Sequence, residues 1–191
     1  MVRIQASEIC AGEQKYQGGN IIDQGKILMV IAPKEFQGQE YSESKKVFIE
    51  HGFKVVTASE RAGECIEKYG ARVWAEVPIH SLSAHDFDAI VLIGGPGATE
   101  YFHEVDLLHL IQDAEKAGKI LAAICIAPVI LANAGVLKGK RVTAFSTVRE
   151  NLIQAGASFT GDEVEIDGNI VTADGPEASE RFAEEIVKLI A

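Results

Sequence analysis

The 191-residue chain predicts an α/β sandwich: a mostly parallel sheet with helices on both faces. Three observations carry this expectation. Short, continuous apolar runs recur, as at residues 27–32, 88–93 and 119–124, the pattern of strands buried on both faces. Helix-like stretches lie between them and stop at Gly52, Gly118 and Gly135, which are C-cap signals. No repeat, low-complexity tract or internal linker interrupts the alternation, so the strands feed βαβ units.

The elements follow in order. Residues 1–25 are polar and rich in Gly and Gln and read as an extension with one strand and a loop; residues 26–191 read as a single domain. Strand 27–32 precedes helix 41–51, and strand 53–58 follows Gly52. Segments 65–69 and 72–77 flank Gly70 and suggest a hairpin. Strand 88–93 runs into Gly94-Gly95-Pro96-Gly97, and helix 105–117 comes next. Strand 119–124 leads through Cys125 into helix 129–134. A strand at 141–145 and a helix at 147–155, capped by Thr147, come before a hairpin at 163–173 with an Asp167-Gly168 turn. Helix 176–190 opens on a proline, which suits the first turn.

Composition narrows the function classes. There are 18 Lys and Arg against 28 Asp and Glu, a net charge of −10, with no basic stripe; nucleic acid and anionic membrane are not expected partners. No apolar run approaches a membrane span, and the first residues lack the apolar core of a signal peptide, so a cytoplasmic protein is expected. Cys10, Cys65 and Cys125 are far apart and form no C-x-x-C, which argues against disulfides and a cysteine-rich zinc site. The five histidines show no metal spacing, and the glycine turn does not match G-x-G-x-x-G, so neither metal nor cofactor is expected.

Chemistry concentrates around Cys125. Ala123 and Ala127 lie two residues to either side of it, the small-x-nucleophile-x-small spacing of a nucleophile elbow. In that turn the sulfur would face a helix N-terminus, whose partial charge favours thiolate. Strand carboxyl ends near the switch in strand order form the ligand edge of such folds. Cys125, the Gly94-Gly95 turn, Glu35 and Glu40 all fall there. The N–H groups of Gly95 and Ile126 could form a two-donor oxyanion hole. Of the histidines, His103 alone lies near a strand's carboxyl end and is the candidate base.

On four segments the chain resembles the ThiJ/PfpI superfamily: residues 31–40, residues 88–97, residues 122–125 and Asp174-Gly175-Pro176. The likeness covers about residues 26–191. It implies a flavodoxin-like three-layer sandwich, assembled as a homodimer or homohexamer. It also implies that Cys125 is the elbow nucleophile, that Glu40 is a protonated glutamate hydrogen-bonded to it, and that Gly95 and Ile126 are the oxyanion donors. Arg72 takes the place of an arginine that reaches the cysteine pocket of a partner subunit.

Three positions depart from the superfamily pattern. Ile126 replaces the histidine that follows the cysteine in PfpI-type members, Phe145 replaces the histidine of deglycase-type members, and Asp174 replaces an arginine. Two functions therefore compete. One is a Cys125-dependent hydrolase or lyase acting on small carbonyl compounds, their adducts or amides, with Glu40 moving the proton. The other is a non-catalytic sensor of oxidants, or a holdase chaperone, in which Cys125 is oxidised reversibly and needs no base. The expected partner is a small-molecule substrate or an oxidant.

Overall fold

The computed structural model describes residues 24–190. The extension expected over residues 1–25, and Cys10 within it, falls almost wholly outside the described residues. A seven-stranded sheet forms the centre. Strands β1 (Lys26–Val30), β3 (Lys54–Ser59), β7 (Ala89–Leu92), β8 (Ile120–Ile124) and β12 (Ile170–Ala173) are its parallel body. With β6 (Val77–Pro78) and β11 (Val164–Asp167) at its edges, the order across the sheet is β11-β12-β8-β7-β1-β3-β6. At one edge β11 pairs antiparallel with β12 through the expected Asp167-Gly168 turn, and β6 closes the other edge.

The apolar runs became strands because the sheet is covered on both sides. Ile27, Leu28 and Met29 are fully buried, as are Ala89 to Val91 and Leu121 to Ile124. Helices α1 (Gly38–Glu50) and α5 (Ser179–Ile190) pack together on one face. Helices α2 (Val105–Lys116), α3 (Pro128–Asn133) and α4 (Arg149–Gln154) cover the other. Phe48, Ile111, Phe182 and Ile186 are all fully buried beneath these helices. Each such side chain contributes about 2 kcal/mol of apolar burial, so the sandwich is held mainly by its two helix–sheet layers. This is the flavodoxin-like α/β architecture.

Local details depart from the expectations in three places. A short strand β2 (Lys34–Phe36) follows β1 and joins β4 (Gly63–Glu67) and β5 (Arg72–Ala75) in a separate three-stranded sheet. The hairpin around Gly70 is present, but Lys34 to Phe36 was not expected to extend its sheet. The strand expected at 141–145 is only β9 (Arg141–Val142), because its partner β10 (Ser158–Phe159) is equally short. Thr147 caps no helix: it sits inside a 3-10 turn, and α4 begins two residues later without a side-chain cap.

Candidate active site

Strand order reverses about β1: from it the chain moves to β3 on one side, then to β7 and β8 on the other. The carboxyl ends of β1, β7 and β8 therefore meet at one edge, and each brings one component. The β1 exit carries the chain through β2 to α1, whose first turn holds Glu40. The β7 exit is the Gly94-Gly95 turn, and the β8 exit is Cys125.

Cys125 has φ 63°, the left-handed region that L side chains avoid. Holding a side chain there costs about 1–2 kcal/mol. Backbone hydrogen bonds offset it: the Cys125 N–H donates to the Ala173 carbonyl at 3.0 Å, and its own carbonyl accepts from the Phe145 N–H at 2.8 Å. Ala123 and Ala127 are fully buried, so the elbow tolerates nothing bulky beside the cysteine. The elbow helix has only 6 residues, which limits its dipole.

Glu40 is wholly buried, and its Oε2 accepts the Gly94 N–H at 2.9 Å. Its Oε1 is buried without a hydrogen-bond partner. The Cys125 thiol lies beside this carboxyl, and each group bears on the other's titration. Gly94 is tightly enclosed between them. A Cβ on it would lie 2.5 Å from the Cys125 Cβ, 2.8 Å from the Ile124 carbonyl oxygen and 2.9 Å from Glu40 Oε2. Gly95, with φ +97°, backs onto the Gln37 N–H and the Glu35 carbonyl, each 2.5 Å from where its Cβ would be. The glycine turn is thus what lets the cysteine and the glutamate approach.

Burial pushes the Glu40 carboxyl up to about 7, against the Gly94 N–H and the thiol, which hold it down. Lys68, on the β4–β5 turn, also opposes this rise. Burial first, and the charge of Glu40 second, push the Cys125 thiol up to about 11. The Gly95 and Ile126 N–H groups donate to the sulfur and oppose that rise. This corrects the expectation that the helix N-terminus would favour thiolate. The repulsive contribution disappears when Glu40 is protonated, so thiolate beside neutral Glu40 and thiol beside carboxylate are two forms holding one shared proton.

Four candidate residues thus come together: Glu40, Gly95, Cys125 and Ile126. Gly94 and Lys68 join them, and neither role was visible in the spacing. His103 is exposed and is not among the groups acting on Cys125 or Glu40. Arg72 is exposed on β5 and forms a two-pronged ion pair with Glu64, at 2.9 and 3.0 Å, within its own hairpin. His80, His85 and His109 are exposed too. Among the described residues, no group of three or more His, Cys, Asp or Glu side chains is placed to hold a metal ion. No helix among them is long and apolar enough to cross a membrane.

A mostly parallel sandwich with an elbow cysteine beside a buried glutamate at the carboxyl edge of the sheet defines a class of α/β protein. Within that class the chain belongs to the DJ-1/PfpI family, which it matches over residues 25–189. It is 39% identical over 168 residues to an uncharacterised protein of Methanocaldococcus jannaschii, covering 86% of this chain and 82% of that one. It is 30% identical over 163 residues to a Pyrococcus furiosus protein named deglycase PfpI, covering 85% and 98%. Among solved structures, a ThiJ/PfpI domain protein from Brachyspira murdochii superposes with a TM-score of 0.85 at 32% identity, covering 88% of this chain and 96% of that one.

Proposed function

We propose that the protein is a cysteine-dependent enzyme acting on small carbonyl compounds or their amine adducts, with Cys125 as nucleophile and Glu40 as its proton partner. The observation that carries this is the enclosed carboxyl–thiol pair, with two backbone N–H groups aimed at the sulfur. Glu40 takes the thiol proton, the sulfur forms a bond to the carbonyl carbon, and the carbonyl π electrons move to oxygen. The Gly95 and Ile126 N–H groups would hold that oxygen, and Glu40 would return the proton. With a 2-oxoaldehyde the product of this step is a hemithioacetal. Glu40 would then carry the adjacent C–H proton to the neighbouring carbon while the hydroxyl proton passes to the neighbouring oxygen, and water would hydrolyse the resulting thioester to a hydroxy acid and the free Cys125 thiol. The relative named a deglycase supports carbonyl chemistry of this kind. A cytoplasmic setting would keep the thiol reduced. Exposed Tyr69 and Trp74 on the β4–β5 hairpin support association with a second copy of the chain, as a homodimer or homohexamer.

One observation favours a second reading. No histidine acts on Cys125, so the pair suits reversible oxidation, in which peroxide oxidises the thiolate to sulfenate and is itself reduced to water. Methylglyoxal consumption by purified protein, with Cys125→Ala as control, separates the two. Turnover lost in the variant supports the enzyme. No turnover in either protein, with Cys125 oxidised at low peroxide, supports the sensor.

A further inference from the structure

On the β12 side of the Cys125 site, Asp174 and a partly exposed Phe145 both flank the backbone of the nucleophile. Strand β12 runs parallel to β8 with Ala173 opposite Ile124, so Asp174 comes next in register, beside Cys125. Phe145 is tied to the same point, since its N–H donates to the Cys125 carbonyl at 2.8 Å. Its ring reaches Gly175, where an added Cβ would lie 3.9 Å from Phe145 Cδ2. Phe145 is 45% exposed.

Asp174 is half-buried, and among the described residues no Lys, Arg or His forms an ion pair with it. Burial first, and the neighbouring Glu163 second, raise its carboxyl above the usual range. The nearby cation is already engaged, since Arg181 pairs with Glu163 at 2.9 Å. Lys68 acts from the opposite side of Cys125, where its backbone N–H donates to the Phe36 carbonyl beyond β1.

We propose that Asp174 and Phe145 form a subsite for an organic cation, so that the carbonyl substrate of Cys125 carries an ammonium or guanidinium arm on the β12 side rather than a carboxylate. This rests on the carbonyl-enzyme reading above and names its substrate class. A carboxylate attracts the cation by charge, and an open ring face attracts it through its quadrupole. Either feature alone is common on a protein surface. Here they flank the same residue, since the Cys125 N–H donates to Ala173, just before Asp174, and its carbonyl accepts from Phe145, so together they can select.

The test needs no turnover, so it stands even if the enzyme reading fails. Cys10→Ser protein is treated with a trimethylammonium-bearing and a sulfonate-bearing alkyl methanethiosulfonate. In both, the Cys125 thiolate forms a disulfide and expels methanesulfinate, and the rates are followed by intact mass. The ratio of cationic to anionic rate should fall about fivefold in Asp174→Asn, by loss of one nearby charge. It should fall about threefold in Phe145→Leu, which keeps the apolar bulk but removes the ring. Glu50→Gln, at the far end of α1, makes the same change in net charge and should leave the ratio unaltered. A ratio in Asp174→Asn equal to that in Glu50→Gln overturns the proposal. Should Asp174→Asn fail to fold, an unchanged ratio in Phe145→Leu overturns it equally.

Discussion

Cys125 and Cys65 are both free thiols in the same domain, and their surroundings make them different groups. Cys65 lies inside β4, 1% exposed, in ordinary strand conformation, with its thiol directed at the Gly63 carbonyl 4.0 Å away. Cys125 occupies a left-handed elbow, partly open, with a buried acid and two N–H donors around its sulfur. Cys65 is a small apolar residue that happens to contain sulfur. At Cys125 the backbone is strained so that the sulfur stands clear of its strand, among groups that can take or give a proton. Burial and contacts, rather than the residue type, therefore separate the elbow thiol from the core one.

The largest expected effect divides the two cysteines by function. Cys125→Ala should lower carbonyl turnover by at least about 10³-fold, while Cys65→Ala should keep it within a factor of about two, both read as kcat/KM. Comparable losses in the two variants would break the contrast.

The next effect concerns stability and pH. Burial raises the folded-state Glu40 from 4.5 to about 7, so between those values the folded protein binds a proton that the unfolded chain has released. Stability from this group is therefore fully present below 4.5 and is lost as pH rises to about 7, by about 3 kcal/mol in all. Glu40→Gln has no such proton. Its stability relative to the parent should grow across that window by the same amount, measured by urea unfolding at a series of pH values.

A third comparison sets Gly94 against Gly63, which precedes Cys65 by two residues. Alanine at Gly94 would drive a Cβ against Cys125 and Glu40, whereas nothing lies within 4 Å of a Cβ on Gly63. Gly94→Ala should destabilise by about 2 kcal/mol more than Gly63→Ala, which bears only the cost of its φ of +138°. Equal costs would mean that the site edge can relax. The smallest effect is chemical. In Cys10→Ser protein, iodoacetamide should label Cys125 in the native state and Cys65 only after unfolding, as resolved by peptide mass.

Much of the fold was legible in the sequence, for a physical reason. Strands buried on both faces must be apolar throughout, and helices between them must stop, so residues 27–32 and 88–93 and the terminating glycines are conspicuous. Segments held only by distant partners were less so. Strand β2 has two exposed residues and exists because β4 pairs with it, and β9 is short because β10 is. At the site, the elbow spacing marked Cys125, and convergence at the sheet edge brought in Glu40 and the glycine turn. The thiolate expectation failed because local spacing gives neither desolvation nor the charge of a residue 85 positions away, and both outweigh a short helix. Lys68 left no signal, since only the hairpin's docking on Phe36 brings it toward Glu40.

The central claim is that Glu40 and Cys125 act as one unit sharing a proton, and the pH profile of methylglyoxal turnover tests it most directly. Activity from the singly protonated pair should rise through about 7 and fall toward about 11, and Glu40→Gln should abolish the lower limb. A profile flat through 7, or the same lower limb in Glu40→Gln, would contradict the shared proton and leave Cys125 acting without its glutamate.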